Sequence, residues 1–264
     1  MDPSVTSGLY RDITDLAQQS PSWVGHFVEI GTEAVILIFG ALFLVSWWRT
    51  RSADSRAMAV AVVGPLATAV AYVGSELFKS AVQEDRPCRA VAGAAASLAT
   101  CPPVGDWSFP SNHSTIAGAA AIALAIAWRR IALLTLPLAL FAAFSRVFVG
   151  VHYPHDVAVG LVFGGLVAAL VVLALTRPAR ALIETMRTSR TGVVVWFAGP
   201  GPAVRPDIGS GPVHGGGSAP VPGHGPESGY GPESEHGPGH GPDHGPVGDS
   251  RRLRRQKGRH GARS

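Results

Sequence analysis

Residues 145–175 read SRVFVGVHYPHDVAVGLVFGGLVAALVVLAL, a short polar segment followed by the 19-residue apolar run Val157–Leu175. A helix needs about 20 apolar residues to cross the hydrocarbon core of a bilayer. Strands of a membrane barrel would alternate apolar and polar residues, and this run does not. Similar runs occupy Ile30–Trp48, Met58–Phe78, Thr115–Trp128 and Ile131–Phe144. The sequence therefore predicts an all-α protein, a polytopic membrane bundle of five spans.

The composition agrees with this class, since 47% of the 264 residues are hydrophobic. Two of the five runs are shorter than a perpendicular span, and residues 111–114 and 145–150 can extend them. The net charge of +4 does not indicate a nucleic-acid partner, because much of the positive charge lies near the C-terminus and in the polar segments described below.

The chain divides into four predicted parts. Residues 1–28 form an interfacial or amphipathic segment with a helix over Gly8–Phe27, the alternatives being a sixth span or a solvated lead-in. Residues 29–176 form the membrane-embedded domain, and residues 177–198 are juxtamembrane and cytoplasmic. Residues 199–264 are rich in glycine, proline and histidine, and cannot bury enough apolar surface to offset the entropy of ordering. We expect a disordered tail, whose basic end at residues 251–259 lies near anionic headgroups or is merely solvated.

Three polar islands interrupt the apolar chain. Charge at mid-bilayer costs about 2.5–3.5 kcal/mol per group on insertion scales, so such groups are usually functional and sit at a wet face. The first island is Lys79-x6-Arg86-Pro87, the second is SFPSNH at residues 108–113, and the third is Ser145-Arg146-x5-His152-x3-Asp156.

Arginines in the short loops predict the orientation of the bundle. With five spans, three arginine clusters fall on one side, which should be the cytoplasm, and the polar islands and the active site face the extracytoplasmic side. The clusters are Arg49, Arg51 and Arg56; Arg129 and Arg130; and Arg177, Arg180, Arg187 and Arg190.

The three islands together resemble the three-part signature of the type 2 phosphatidic acid phosphatase superfamily, which also contains the vanadium haloperoxidases. Within it, SFPSNH at residues 108–113 and FSRVFVGVHYPHDV at residues 144–157 are similar to the bacterial undecaprenyl diphosphate phosphatases of the bacitracin-resistance type. One position departs from the pattern, because Asn112 stands where the family usually has glycine or aspartate. Asparagine tolerates unusual backbone angles and caps helices, so we expect the amide there to stay usable.

The residues themselves predict a phosphate site. Ser111 and Asn112 precede a span, where a helix N-terminus offers unpaired N–H groups to an anion. Lys79, Arg86 and Arg146 can neutralise the phosphoryl oxygens.

Two histidines have predicted catalytic roles. Asp156 lies four residues after His152 and can fix its tautomer, which makes His152 the predicted nucleophile of a phosphohistidine intermediate. His113 is the predicted general acid, which then activates water. We expect no cofactor and no metal, since the basic residues nearby would repel a cation.

Cys88 and Cys101 are the only cysteines and lie in the predicted outer loop. They either form a disulfide that braces the loop carrying Arg86 or remain unrelated thiols.

The resemblance implies an integral membrane phosphatase that removes a terminal phosphate from a lipid phosphate or diphosphate, preferably converting undecaprenyl diphosphate to undecaprenyl phosphate. Phosphatidic acid or another lipid phosphate is the alternative substrate. An anion transporter using the same basic residues and a haloperoxidase are rival hypotheses. The sequence indicates the lipid bilayer and a lipid substrate as partners, and leaves the oligomeric state open.

Overall fold

The computed structural model describes residues 4–203, with side chains from residue 6 onward. The tail beyond Ala203, including its basic end at residues 251–259, lies outside the described residues, so its predicted disorder stays a prediction.

Residues 4–203 form eight α-helices, and this part of the chain contains no strand. A 3-10 turn at Arg129–Ile131 precedes α6. The helices are α1 Ser4–Gln19, α2 Ser22–Thr50, α3 Ser55–Val82, α4 Pro87–Ala90, α5 Asn112–Ala127, α6 Ala132–Phe148, α7 Pro154–Arg187 and α8 Gly192–Ala198.

The predicted helical membrane bundle is confirmed. Four segments are long and apolar enough to cross a bilayer: Ser22–Thr50, Ser55–Ala90, Arg129–Phe148 and Pro154–Arg187. The remaining predicted run, Thr115–Trp128, corresponds to α5, an apolar helix of 16 residues. Leucines on the outside of the bundle are widely exposed, with Leu133 at 87% and Leu37 at 75%. Such a surface suits lipid rather than water, and the protein is a multi-pass membrane protein.

The N-terminal segment differs from the single helix predicted over Gly8–Phe27. The structure ends α1 at Gln19 and begins α2 at Ser22, so those residues divide between two helices. Pro21 stands at the break because proline has no N–H to continue a helix but suits the start of the next one. The face of α1 that carries Tyr10 and Thr14 is buried against the bundle.

The centre of the bundle is α5, which packs against α3 and α7 through small residues. Five alanines between residues 117 and 123 are buried. A Cβ on Gly118 would overlap the carbonyl oxygen of Leu161, and one on Gly164 would overlap that of Thr115. Small residues let helix backbones approach closely where the membrane supplies no hydrophobic driving force. This contact fixes the N-terminal ends of α5 and α7 side by side.

The alternating direction of the helices gathers all three polar islands at one end of the bundle. The ends of α3 and α6 and the starts of α5 and α7 meet there. At the other end, Arg51 lies over the ring of Trp196, 4.9 Å from its centroid, and Arg49 lies 4.1 Å from that of Trp128. Tryptophan and arginine are typical of a membrane interface.

Substituting Gly164→Ala should weaken the α5–α7 contact, because the new methyl group meets a backbone carbonyl that cannot move aside. We expect the free energy of unfolding in detergent to fall by about 1–3 kcal/mol. The matched control is Gly8→Ala on α1, where a Cβ has no atom within 4 Å. Equal thermal unfolding midpoints for the two variants would show that α5 and α7 do not pack as described.

Candidate active site

The carboxylate of Asp156 contacts the imidazole of His152 and orients it. His152 Nδ1 lies 3.2 Å from Asp156 Oδ2, and the same oxygen accepts hydrogen bonds from the Tyr153 N–H, at 2.8 Å, and from the Ser108 hydroxyl. Asp156 is fully buried and His152 is 2% exposed. The α7 helix begins at Pro154, which places the bond to Tyr153 at its first turn. One carboxylate therefore both caps α7 and orients the imidazole.

The other nitrogen of His152 faces Arg86. Arg86 Nη1 lies 3.1 Å from His152 Nε2, and because a guanidinium only donates, Nε2 is the acceptor and the ring proton sits on Nδ1. Burial lowers the pKa of His152 to about 4, and this effect exceeds the opposing effect of its bond to Asp156. The imidazole is therefore neutral near pH 7 and keeps a lone pair on Nε2.

Four contacts fix the position of the Arg86 side chain. Besides His152, it donates to the backbone oxygens of Asp106, at 2.9 Å, and Val151, at 3.1 Å, and its Nη2 lies 2.8 Å from Asp106 Oδ1. Lys79 Nζ is 3.5 Å from the same carboxylate oxygen. Burial alone would raise the pKa of Asp106, but Arg86 and Lys79 together bring it below its ordinary value.

Sequence reasoning missed Asp106. It lies two residues before Ser108 of the second island, so proximity to that island was the available signal. The negative charge of Asp106 offsets the positive charges of Arg86 and Lys79.

His113 and Arg146 share a carboxylate that was also missed. Glu33 Oε1 on α2 lies 3.0 Å from His113 Nε2 and 4.0 Å from Arg146 Nη1. Arg146 Nε is buried without a hydrogen-bond partner among the described residues. An unpaired buried guanidinium N–H is costly, so this nitrogen favours an anion in the site.

Asn112 is fixed to α3 by its side chain. Its amide nitrogen donates to Glu76, and its amide oxygen accepts from the Ser75 hydroxyl at 2.8 Å. Glycine could make neither contact, which gives a local reason for the departure from the usual motif. Ser111 is the N-cap residue of α5, and its buried hydroxyl has no hydrogen-bond partner in the described part of the chain.

These residues surround a cavity of about 280 Å³, which we call the cationic cavity. Six of the eight predicted site residues line it, while Asp156 stands behind His152 and Ser111 is buried to one side. The lining comprises Tyr72, Lys79, Arg86, Pro102, Asp106, Asn112, His113, Ile116, Arg146 and His152. Three cations and a neutral imidazole around one small cavity can bind a phosphoryl group and attack it.

His155 lies behind this site. It is half-buried in the first turn of α7. Its Nε2 lies 3.0 Å from Glu84 Oε1 and 3.3 Å from Asp156 Oδ1, and its Nδ1 is 2.7 Å from the Thr6 hydroxyl. The ring stacks on Tyr153, with centroids 5.2 Å apart. His155 thus links α1 and Glu84 to the carboxylate that orients His152.

Cys88 and Cys101 form a disulfide in the structure, with their Cα atoms 6.1 Å apart. The bridge closes the loop between Arg86 and Asp106, the two residues whose side chains meet across the cationic cavity.

Comparison with protein families gives a match over residues 63–180 to the model of the PAP2 superfamily. The matched segment contains all three polar islands.

Individual relatives share the same region. The chain is 31% identical over 184 residues to the bacitracin transport permease protein BcrC of Bacillus licheniformis, covering 67% of this chain and 83% of that protein. It is 41% identical over 71 residues to the undecaprenyl-diphosphatase BcrC of Bacillus subtilis, covering 27% of this chain and 34% of that protein. A lipid A 1-phosphatase of Rhizobium etli is 41% identical over 70 residues, which is 26% of this chain and 30% of the relative's own length.

Among solved structures, the crystal structure of Aquifex aeolicus LpxE matches with a TM-score of 0.50 and 18% identity, covering 65% of this chain and 97% of that one. At 18% sequence identity, this match is evidence of a similar fold only.

The Cys88–Cys101 bridge should stabilise the protein measurably. A closed loop of this length contributes about 3 kcal/mol by restricting the unfolded chain. A reductant should therefore lower the thermal unfolding midpoint of the wild type in detergent. The midpoint of the double variant Cys88→Ser with Cys101→Ser should already be lower and should not respond to reductant. A wild-type midpoint insensitive to reductant would contradict the stabilising role.

Proposed function

Because this chain belongs to the PAP2 superfamily and is a membrane lipid phosphatase, we propose that it removes the terminal phosphate of undecaprenyl diphosphate through a phosphohistidine on His152. One observation carries the assignment of His152. It presents a neutral Nε2, with its proton held on Nδ1 by Asp156, to a cavity lined by Lys79, Arg86 and Arg146.

In the first step, His152 Nε2 attacks the terminal phosphorus and the bond from phosphorus to the bridging oxygen breaks. Arg86, which contacts Nε2 in the empty site, is near enough to bond the phosphoryl oxygens once the anion enters. His113 donates its proton to the leaving oxygen, so that this oxygen carries no negative charge when the lipid monophosphate leaves. The imidazolium character that develops on His152 is stabilised by Asp156.

In the second step, His113 takes a proton from water and the resulting hydroxide attacks the phosphohistidine. The phosphorus–nitrogen bond breaks, His152 returns to its neutral form and inorganic phosphate leaves. Each proton that His113 gives is recovered in this step, and the reaction consumes one water per phosphate. Glu33, hydrogen-bonded to His113, supports the charged form that the first step requires.

Two features favour a diphosphate of a polyprenyl lipid. The relative from Bacillus subtilis is named an undecaprenyl-diphosphatase, and the motif similarity points to the same class. Phosphatidic acid, lipid A and other lipid phosphates are the alternatives, since the cationic cavity contacts a phosphoryl group that all of them carry. The rival anion transporter is disfavoured because the site lies at one end of the bundle.

The orientation is also part of the proposal. The arginine clusters lie at the end of the bundle opposite the cationic cavity, and the positive-inside rule places that end in the cytoplasm. The cavity then faces the extracytoplasmic side, at the level of the outer leaflet.

The variant His152→Ala should remain folded and membrane-inserted but lose phosphate release from undecaprenyl diphosphate by at least about a thousandfold. The wild type, quenched in acid-free denaturant after exposure to substrate labelled in the terminal phosphate, should carry label, and the variant should not. The matched control His26→Ala changes an exposed histidine of α2 and should behave as wild type. Substantial turnover by His152→Ala would remove His152 as the nucleophile.

Glu33→Gln should lower kcat by about tenfold with little change in KM, because the amide keeps the geometry but loses the charge that supports protonated His113. Glu29→Gln, one turn earlier on the same exposed stretch of α2, is the control and should keep wild-type kcat. An equal effect of both variants would indicate a general field effect rather than a specific bond to His113.

A further inference from the structure

We infer that the hydrocarbon tail of the substrate lies in an apolar groove that runs from the cationic cavity to the opposite end of the bundle. The occupant that fits is a polyprenyl chain long enough to cross the whole bilayer. This inference rests on the proposed function, and it makes chain length the property by which the enzyme selects its lipid.

The upper half of this tail groove adjoins the site. A cavity of about 340 Å³ lies between α2 and α3 with α5 as its floor. It shares Tyr72 and Ile116 with the cationic cavity, so a lipid whose phosphate lies against Lys79 can enter it without crossing protein. Gly40 and Ala69 leave the groove open, and Phe39 lines one wall.

The lower half continues along the same two helices. A second cavity of about 430 Å³ shares Phe43 and Pro65 with the first. It is bounded by Leu44 and Val62 and ends at Trp47 and Trp196, the aromatic residues that α2 and α8 place at the far end of the bundle. No Asp, Glu, Lys or Arg lines either half, so the groove suits a hydrocarbon rather than a headgroup.

The length of the tail groove separates the candidate lipids. Eighteen residues of α3 separate Lys79 from Ala61 at the bottom of the groove, which corresponds to about 27 Å at 1.5 Å per residue. The hydrocarbon core is about 30 Å thick, so an acyl chain of a leaflet lipid ends near the midplane, about 15 Å down. An acyl chain would leave the lower half without substrate contacts. A polyprenyl chain is long enough to fill both halves.

Two glycines near the groove differ in the space around them. On α3, a Cβ at Gly64 would lie 2.9 Å from the ring of Phe43, so that glycine serves close packing. On α2, a Cβ at Gly40 would have nothing within 4 Å. The space beside Gly40 is therefore open, and a larger side chain at this position would project into the groove.

The test is the ratio of kcat/KM for undecaprenyl diphosphate to kcat/KM for farnesyl diphosphate, measured as phosphate release in detergent micelles. Leu44→Trp narrows the lower half only and should reduce this ratio by about tenfold, since the long chain loses contacts that the short chain never makes. Leu166→Trp, an exposed position of α7 outside the groove, is the control and should leave the ratio unchanged. Gly40→Trp obstructs the upper half and should lower kcat/KM for both lipids.

The outcomes are distinguishable. If Leu44→Trp, folded by its thermal unfolding midpoint, keeps the wild-type ratio, the tail does not use the lower half and the inference is wrong while the phosphatase function stands. Wild-type preference for dioleoyl phosphatidic acid over undecaprenyl diphosphate would also overturn it. If the wild type releases phosphate from none of these lipids, the proposed function itself fails. Should Leu44→Trp not fold, Leu44→Phe takes its place in the same measurement: a reduced ratio supports the inference and an unchanged ratio overturns it.

Discussion

The carboxylate of Asp156 is the interaction on which the site depends. One oxygen accepts three hydrogen bonds, from the start of α7, from the second island through Ser108 and from His152. A buried carboxylate is costly unless its oxygens have hydrogen-bond donors, and these three donors satisfy Oδ2. Oδ1 has no hydrogen-bond partner among the described residues and lies 3.3 Å from His155 Nε2. The Ser108 bond ties folding to function, because Ser108 precedes α5 and reaches Asp156 only when α5 and α7 pack together through Gly118 and Gly164. The helix contact at the centre of the bundle thereby sets the position of the imidazole at its end.

The three cations around the cavity repel one another unless negative charge lies nearby. Asp106 lies between Arg86 and Lys79, and Glu33 lies beside Arg146 and His113. Both carboxylates are more exposed than the cations they neutralise, so they stand at the mouth of the site. The two carboxylates offset the positive charge around the cavity. Within residues 4–203, Arg146 Nε has no hydrogen-bond partner, so it is available to bind a phosphoryl oxygen.

Sequence reasoning located the helices and the cavity because both depend on local signals. Apolar runs defined α2, α3, α5, α6 and α7, and the spacing of three motifs placed six residues around one cavity. It missed Asp106 and Glu33, whose roles arise from contacts 20 to 80 residues away in the chain. It also gave no role to His155, because no periodicity indicates that a residue in the first turn of a helix will be covered by α1. The break at Pro21 was readable in principle, since proline ends one helix and starts another.

A lipid phosphatase must bind a charged phosphoryl group and a hydrocarbon tail, which need different environments. At the membrane–water interface, both can be accommodated at a low free-energy cost. Four helix termini meet at the cationic cavity, and below it the proposed apolar groove runs between α2 and α3. Tyr72 and Ile116 form the boundary, since they line both the cavity and the groove. In the proposed mechanism, catalysis takes place on the upper side of that boundary, where the phosphoryl groups of many lipids look alike. Discrimination among lipids therefore has to come from the apolar side, where the substrates differ in length and the groove has a defined depth.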